Sequence, residues 1–258
     1  MRLELAGKCG IVTGASRGIG RAIALALARE GMRLALVARA SDALDEAVRQ
    51  TGSGDAFAIG CDLRQPAAPA AAVEAALARF GGLDLVVNCA GATKRGDFLA
   101  LTDEEWNDGF ALKFYAAMRL SRAAWPALRQ SRGAIVNVIG VGGRVASAEF
   151  GIGGAVNSAL INLTKCLADR GVQDGVRVNA VNPGGIATDR WRNRVKVVAE
   201  RMATTPERAE QELVREMGVA AIGAPENVAD VVAFMASPRA AYMQGAVVDV
   251  DGGMVRAL

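Results

Sequence analysis

Histidine is absent from this chain of 258 residues, and tyrosine occurs only at Tyr115 and Tyr242. Imidazole is a common general base and a common metal ligand. Its absence excludes histidine metal sites and every catalytic device in which a histidine activates a serine or a cysteine. The two tyrosines lie in a long helical pattern and beside the last predicted strand, so few phenol groups are available to supply a proton.

Cysteine is scarce and widely spaced. Cys9, Cys61, Cys89 and Cys166 form no Cys-x-x-Cys pair. Three of them lie at or close to an end of a predicted strand, where a free cysteine behaves as a small buried apolar residue. We therefore expect free thiols, with neither a disulfide nor a bound metal.

Long hydrophobic runs are also missing, although 52% of the residues are hydrophobic. Stretches such as residues 133–143 are too short or too rich in glycine and asparagine to span a bilayer. The first residues, Met-Arg-Leu-Glu, show no signal-peptide pattern, so we expect a cytoplasmic location and no membrane association. The net charge of +3 is spread along the chain, which argues against nucleic-acid binding.

Strand and helix patterns alternate along the whole chain. Short apolar or β-branched runs predict strands at residues 9–12, 33–37, 56–61, 85–87, 134–138, 176–181 and 247–250. Helical patterns cover residues 18–30, 41–51, 69–79, 103–130, 151–171 and 226–236. Right-handed crossovers then give a doubly wound parallel seven-stranded sheet with helices on both faces, a Rossmann-like α/β fold. No linker interrupts the pattern, so residues 1–258 are expected to form a single domain that binds ligands at the carboxyl ends of its strands.

A glycine-rich turn separates the first strand from the first helix, with the sequence Thr-Gly-Ala-Ser-Arg-Gly-Ile-Gly at residues 13–20. Such a turn aims free backbone N–H groups and a helix N-terminus at one point, which suits a phosphate. Gly14 and Gly18 permit the sharp turn, and Gly20 lets the helix lie against the sheet. We expect the phosphates of a dinucleotide to bind here.

The spacing Gly-x-x-x-Gly-x-Gly resembles that of the short-chain dehydrogenase/reductase family. Three later segments extend the resemblance over almost the whole chain: Asn-Cys-Ala-Gly at residues 88–91, Asn-Pro-Gly at 182–184 followed by Thr188, and Val-Asp-Gly-Gly at 250–253. The resemblance implies an NAD(P)-binding domain. Together with the residues of the glycine turn and with two arginines, it gives the expected cofactor contacts, namely Gly14, Ser16, Arg17, Gly18, Ile19, Gly20, Arg39, Asp62, Leu63, Asn88, Ala90, Gly91, Pro183, Gly184, Ile186 and Thr188.

Within that set, the resemblance places Asp62 and Leu63 beside the adenine. It places Asn88, Ala90 and Gly91 along the adenosine, and Ile186 and Thr188 at the carboxamide.

The charge at the end of the second strand determines which cofactor is expected. A carboxylate there would bind the adenosine ribose of NAD, whereas a cation would pair with the 2′-phosphate of NADP. The chain has Arg39 at this point and Arg17 in the glycine turn, and arginine suits phosphate oxygens. We predict that NADP(H) is preferred, with NAD(H) as the alternative cofactor. If neither arginine binds phosphate, both are ordinary solvated surface.

Members of the family use a Tyr-x-x-x-Lys pair, a serine upstream of that tyrosine and an asparagine on the preceding long helix. Aligned on the helix at residues 151–171, this chain has Gly153 at the tyrosine position and Asn157 at the lysine position. Gly140 stands at the serine position and Lys113 at the asparagine position. Lysine and asparagine are thus exchanged, which would keep one cation at the bottom of the cleft.

These replacements leave three interpretations. In the first, the protein is an NADPH-dependent reductase in which Lys113 donates the proton beside Asn157, directly or through water, and backbone N–H groups of residues 140–143 stabilise the oxyanion. In the second, it is an NADP(H)-binding scaffold or sensor without turnover. In the third, it is a lyase that catalyses a non-redox elimination. A structural alternative for Lys113 is an ion pair with Asp108 or Glu149.

Residues 189–225 are expected to form a helical lid over the substrate, as in family members. Apolar residues recur in the lid at helical spacing. They are Trp191, Val195, Val198 and Met202. We expect this stripe to close on a substrate cleft lined by Gly140, Gly153 and Trp191.

Five cations lie off the stripe: Arg190, Arg192, Arg194, Lys196 and Arg201. They can attract a small acidic substrate, such as a carboxylate or an acyl thioester of a phosphate-bearing carrier; the alternative is a solvated helix face. The helices at residues 103–130 and 151–171 are long, and in family members the equivalent pair forms a four-helix seam. The resemblance therefore implies a homodimer or a homotetramer.

Overall fold

The computed structural model of the chain describes residues 2–52 and 54–256. Its centre is a parallel sheet of seven strands: β1 (Cys9–Thr13), β2 (Arg33–Ala38), β3 (Phe57–Gly60), β4 (Leu85–Asn88), β5 (Ala134–Val138), β6 (Arg177–Pro183) and β7 (Val247–Val250). The strands lie in the order β3-β2-β1-β4-β5-β6-β7. The predicted Rossmann-like fold is confirmed, and each predicted strand end is correct to within two residues.

The helices cover both faces of this sheet. They are α1 (Gly18–Arg29), α2 (Asp42–Gln50), α3 (Ala68–Phe80), α4 (Asp103–Phe110), α5 (Ala116–Ser131), α6 (Gly151–Asp174), α7 (Asp189–Arg201), α8 (Pro206–Met217) and α9 (Pro225–Ala236). The helix predicted at residues 103–130 is divided, because a π-helical segment, Ala111–Tyr115, joins α4 to α5. Within the described ranges no helix is both long enough and apolar enough to cross a membrane.

The two faces of the sheet carry separate parts of the core, because successive residues of a strand point to opposite faces. Val12 and Leu34 belong to the cluster that α1 and α9 cover, whereas Ile11 and Val37 belong to the cluster that α3 and α5 cover. All four side chains are fully buried. This double covering explains the high hydrophobic content.

The lid segment folds as a helical hairpin of α7 and α8. Trp191, Val195 and Val198 are buried against Leu213 of α8. Met202, at the end of the stripe, is 46% exposed. The expectation that the apolar stripe closes on the cleft is therefore wrong, since the stripe forms the interior of the hairpin.

Candidate active site

The carboxyl ends of β1 and β4 lie side by side at the point where the sheet reverses its winding direction. Crossover helices diverge at such a point and leave a crevice, which is where ligands bind in sheets of this kind. Thr13 connects the two strand ends. Its hydroxyl accepts hydrogen bonds from the N–H groups of Cys89 (2.9 Å) and Ala90 (3.0 Å) and donates one to the Val87 carbonyl (3.2 Å). The sequence motifs did not assign this role to Thr13.

The glycine turn is anchored to β2 and has a backbone conformation that favours glycine. Gly14, at φ +68°, donates its N–H to the Val37 carbonyl at 2.8 Å. Gly18, at φ +56°, begins α1. A Cβ atom on Gly20 would overlap the Gly14 carbonyl oxygen, so the helix and the turn meet too closely for a side chain. This is the close approach that the glycine spacing predicts.

The N-terminus of α1 is open to an anion. Arg17 at the N-cap makes no side-chain cap, and the first turn of the helix contains no acidic residue. First-turn N–H groups have no acceptor within a helix, so these donors face the crevice without a competing carboxylate. A Cβ atom on Gly18 would lie 3.3 Å from the Thr188 side chain, which forms the far wall. The cradle fits the diphosphate of a dinucleotide, and Ser16 and Ile19 lie within the same turn.

Arg17 and Arg39 are both exposed beside this cradle, and neither forms an ion pair within residues 2–52 and 54–256. The hydrogen bond from Gly14 to Val37 ties the turn that contains Arg17 to the strand that leads to Arg39. Asp62 lies nearby and accepts a hydrogen bond from the Arg64 backbone N–H (3.0 Å) and one from its guanidinium (3.3 Å). These bonds, with a smaller contribution from Arg39, hold the pKa of Asp62 below its usual range.

The predicted carboxamide residues lie at the same edge of the sheet. Pro183 ends β6, and the Gly184 N–H donates to a β7 carbonyl at 3.1 Å. Ile186 is buried, and Thr188 stands at the N-cap of α7. Leu63, predicted beside the adenine, is buried in the core under the crevice.

Asn88 has a largely structural position. Its side-chain amide donates to Ser121 Oγ (3.1 Å) on α5 and to Asn137 Oδ1 (2.8 Å) on β5. The Asn137 amide in turn donates to Thr164 Oγ1 (2.9 Å) on α6. The Asn88 side chain thus ties the sheet to the helices beneath it, while the backbone of residues 89–91 borders the crevice.

Lys113 reaches the bottom of the crevice from the π-helical segment. The aliphatic part of its side chain packs against the backbone of Gly91, and a Cβ atom on Gly91 would lie only 2.9 Å from the lysine Cδ. The ammonium donates a hydrogen bond to Asn157 Oδ1 on α6 at 2.6 Å and another to the Ile139 carbonyl after β5. A single π turn shifts the helical register and often lies at a functional site. The exchanged lysine and asparagine are therefore in direct contact.

The environment of Lys113 makes its ammonium more acidic. Burial, followed by the positive charge of Arg190, lowers the pKa of Lys113 to about 7, and Cys89 opposes this shift. The proposed ion pairs of Lys113 are not formed, because Asp108 pairs with Arg64 and Glu149 pairs with Arg201. Lys113 is therefore a cation held by neutral acceptors.

Neither tyrosine enters this site. Tyr115 follows Lys113 in the π-helical segment but is 43% exposed, with its ring against Phe114 and beneath the Arg119 guanidinium. Tyr242 is fully exposed in the segment that precedes β7. A phenol is therefore absent from the part of the crevice that the structure describes.

The predicted backbone oxyanion site is largely occupied by internal hydrogen bonds. The Gly140 N–H donates to Asn182 Oδ1 (3.3 Å), and the Gly143 N–H donates to the Gly140 carbonyl (3.1 Å). Asn157 also uses its amide nitrogen here, donating to the Gly140 carbonyl at 3.3 Å. The expectation that these N–H groups are free to stabilise an oxyanion is wrong for Gly140 and Gly143.

Phe150 fills the space next to Gly153. A Cβ atom on Gly153 would overlap the Phe150 ring, and a Cβ atom on Gly142 would lie 2.6 Å from it. Gly153 was aligned with the family's tyrosine, so the ring occupies space that a side chain at this position would need. No repeat or motif in the sequence marks Phe150 for this position.

Trp191 does not line the crevice, which corrects its assignment to the substrate cleft. Its indole N–H donates to Glu210 Oε1 of α8 at 2.6 Å, inside the helical hairpin. Arg190, beside Trp191 in the first turn of α7, contacts the loop after β4 instead. The Arg190 guanidinium donates to the carbonyl (3.3 Å) and the hydroxyl (3.1 Å) of Thr93, in the loop after β4.

Comparison with known proteins shows to which family the chain belongs. The family described as enoyl-(acyl carrier protein) reductase matches residues 14–255, almost the whole chain. The chain belongs to the short-chain dehydrogenase/reductase family. The resemblance that the four sequence segments predict is confirmed.

Several members of the short-chain dehydrogenase/reductase family are similar over their full length. The short-chain reductase protein NovJ of Streptomyces niveus is 37% identical over 247 residues, which cover 94% of this chain and 92% of that protein. The 3-oxoacyl-[acyl-carrier-protein] reductase FabG of Vibrio cholerae is 33% identical, with 98% and 99% covered. L-sorbose reductase from Gluconobacter frateurii, solved in complex with NADPH and L-sorbose, superposes with a TM-score of 0.95 at 32% identity over all of both chains. The chain is thus similar to reductases of this family over its whole length.

Proposed function

We propose that this short-chain dehydrogenase/reductase is an NADP(H)-dependent oxidoreductase that interconverts a carbonyl and a hydroxyl group on a small substrate, with Lys113 as the proton donor. The observation that carries the proposal is the hydrogen bond from Lys113 to Asn157 at the bottom of the crevice. When bound, the cofactor supplies or accepts the hydride.

The cofactor preference rests on charge. Arg17 and Arg39 would bind the 2′-phosphate, and the first turn of α1 would bind the diphosphate. The solved complex of L-sorbose reductase holds NADPH, and YwfH, a relative at 26% identity and a TM-score of 0.91, is described as an NADPH dependent reductase. NAD(H) is the alternative cofactor.

The proton step follows from the hydrogen bonds of Lys113. An ammonium has three N–H donors, and Asn157 and Ile139 accept two of them. As the carbonyl carbon gains hydride, the third N–H donates its proton to the carbonyl oxygen, and the alcohol forms. The resulting neutral amine keeps both bonds to its acceptors, and a proton from water restores the ammonium. In the reverse direction the neutral amine accepts the hydroxyl proton.

The lowered pKa supports this role. A general acid works best when its pKa lies near the working pH, and the pKa of Lys113 is lowered to about 7. An ordinary solvated lysine would hold its proton too tightly near neutrality.

A second candidate function is an NADP(H)-binding scaffold or sensor without turnover. The bonded N–H groups of Gly140 and Gly143 favour it, because they leave a reacting oxygen with little backbone stabilisation. The two candidates share the cofactor site and differ in the chemistry of Lys113.

The reductase and the scaffold are distinguished by comparing the parent protein with two lysine variants. NADPH oxidation is measured with a panel of aldehydes and ketones for the parent protein, Lys113→Met and the control Lys165→Met. Lys165 is a lysine of α6 whose ammonium donates to the Gly245 carbonyl, away from the crevice. We expect turnover by the parent and the control, and a loss of about 10²-fold or more in Lys113→Met with unchanged NADPH affinity. NADPH binding without oxidation of any panel member would favour the scaffold.

We also infer that α7 and α8 cover the bound substrate, which is supported by the hydrogen bond from Arg190 to Thr93.

The faces of α5 and α6 away from the sheet are the proposed seam of a homodimer or homotetramer. The apolar side chain of Val172 on α6, which is 71% exposed, supports this proposal. Light scattering after size-exclusion chromatography tests the assembly.

A further inference from the structure

Two arginines from different segments lie against one aromatic ring at the mouth of the crevice, and a third arginine lies close to them. The guanidinium carbon of Arg95, in the loop after β4, lies 4.1 Å from the centre of the Phe150 ring. The guanidinium carbon of Arg190, in the first turn of α7, lies 5.8 Å from it. Arg194, one turn further along α7, is close enough for its charge to act on Arg95. We call Arg95, Arg190 and Arg194 the arginine cluster.

The cluster carries more positive charge than its surroundings neutralise. Two carboxylates act on the three arginines: Glu216 on Arg194, and Glu149 on both Arg95 and Arg194. Glu149 already pairs with Arg201 at 3.2 Å. The polar partners of Arg190 within residues 2–52 and 54–256 are the neutral carbonyl and hydroxyl of Thr93. Like charges that are held together and partly desolvated destabilise one another until an anion joins them.

Burial and neighbouring positive charge lower the pKa values of the three arginines. Burial, and then the charges of Arg194 and Arg190, lower the pKa of Arg95 to about 10. Burial also lowers the pKa of Arg190 and of Arg194. All three remain cations at neutral pH, and Arg95 and Arg190 are still exposed to solvent. Protein surrounds these guanidinium groups on several sides while water reaches them, as expected for the wall of an open cleft.

The cluster belongs to the same crevice as Lys113. Phe150, on which two of the guanidinium groups stack, lies against Gly142 and Gly153. The charge of Arg190 is also felt at Lys113, whose pKa it helps to lower. The other cations of α7 differ, since Arg192 pairs with Asp189 and Lys196 is exposed on the outer side.

We propose that Arg95 and Arg190, with Arg194 at the rim, bind an oxyanion on the substrate, so that the substrate is a carbonyl compound that also carries a carboxylate or a phosphate group. The Phe150 ring keeps the guanidinium planes in place by cation–π contact and offers an apolar face to the carbon chain between the anion and the carbonyl. The planar donors of arginine match both oxyanions. This substrate class rests on the proposed function, but the binding of the anion does not require turnover.

The first test is a direct binding measurement on protein saturated with NADPH, so that the cofactor phosphates occupy their own site. Isothermal titration with levulinate and with dihydroxyacetone phosphate probes the carboxylate and the phosphate. Methyl levulinate and dihydroxyacetone are the uncharged counterparts. We expect at least one anion to bind about tenfold or more tightly than its neutral counterpart, and the stronger of the two to identify the oxyanion.

The second test uses variants of the cluster. Arg95→Gln and Arg190→Gln should each weaken binding of the preferred anion by about tenfold or more and leave the neutral compound unchanged. The matched control is Arg192→Gln, on the same helix but paired with Asp189, and it should behave as the parent. Far-ultraviolet circular dichroism and NADPH affinity verify the fold of each variant. If the anions bind no more tightly than the neutral compounds, or if Arg192→Gln weakens them as much as Arg190→Gln, the proposal is overturned.

The same experiment separates this proposal from the proposed function. Anion binding that depends on Arg95 and Arg190 but is accompanied by no NADPH oxidation would keep the subsite and remove the reductase. Oxidation of neutral carbonyls alone, with no effect of either cluster variant, would keep the reductase and remove the subsite.

Discussion

Lys113 and Asn157 meet across the crevice, with the lysine Nζ donating to the asparagine Oδ1 at 2.6 Å. They arrive from different elements, Lys113 from the π-helical segment and Asn157 from α6. An amide cannot carry charge, so the contact leaves one cation whose orientation is fixed by a neutral partner. That arrangement suits a group that loses and regains a proton during a reaction.

The cofactor preference can be reversed through one charge. The parent protein should bind NADPH more tightly than NADH, and Arg39→Asp should reverse that order, because a carboxylate repels the 2′-phosphate and accepts hydrogen bonds from the ribose. Fluorescence titration with both dinucleotides measures the change, which we expect to be about tenfold or more for NADPH. Arg29→Asp, with the same charge change at the opposite end of α1, is the control. Equal affinities for the two cofactors in the parent would contradict the assignment.

Neither tyrosine should contribute to catalysis. Tyr115→Phe and Tyr242→Phe remove hydroxyl groups that lie at the surface, so the rate with any accepted carbonyl should stay within a few-fold of the parent. Steady-state NADPH oxidation measures this. A loss of several hundred-fold in either variant would show that the alignment of Gly153 with the family's tyrosine is incorrect.

The packing of Phe150 on Gly153 can be measured by a double-mutant cycle. Gly153→Ala places a Cβ atom inside the Phe150 ring and should destabilise the protein by about 1–3 kcal/mol. In the Phe150→Ala background the same change should be neutral or stabilising, because alanine is the better helix former. Thermal unfolding gives both values.

Gly151→Ala is the control for that cycle, since its Cβ atom would meet Trp106 at an ordinary 3.6 Å. If Gly153→Ala is as harmless as this control in the parent background, Phe150 does not occupy the proposed space.

The sequence predicts the framework of the site because that framework has strong local signals. Alternating apolar runs give the strands, and the positive φ of Gly14 and Gly18 is what their spacing requires. The contact of Lys113 with Asn157 can also be predicted from the sequence, because the alignment puts the exchanged residues on helices that face each other.

Other parts of the site have no local signal. An apolar stripe at helical spacing does not tell which neighbour covers it, and here Leu213 of α8 covers Trp191 rather than the cleft. A π turn adds no residue type that distinguishes it from an α-helix, so the segment holding Lys113 reads as regular helix. Arg95 is a single loop arginine, and only the fold brings it to Phe150.

Stability should depend on pH through Lys113. The folded-state pKa of Lys113 is lowered to about 7, below the unfolded value near 10.5. Between these values the unfolded chain binds the extra proton, so the stabilising effect is complete above the unfolded pKa and is lost as the pH falls to the folded pKa. The free energy of unfolding of the parent relative to Lys113→Met should therefore rise with pH over that window, by at most about 1.4 kcal/mol per pH unit.

Urea unfolding of both proteins at a series of pH values measures this difference, in which groups common to both proteins cancel. A difference that stays constant from pH 6 to pH 10 would mean that Lys113 titrates like a solvated lysine.

The most direct test of the central claim is the pH dependence of carbonyl reduction at saturating NADPH. If Lys113 is the proton donor, kcat/KM of the parent should fall as the pH rises through about 7, because the ammonium is lost, and the reverse oxidation should rise over the same range. Lys113→Met should reduce turnover by about 10²-fold or more and abolish that dependence, while NADPH affinity is unchanged. A Lys113→Met protein that keeps the parent rate and the parent pH profile would contradict the account.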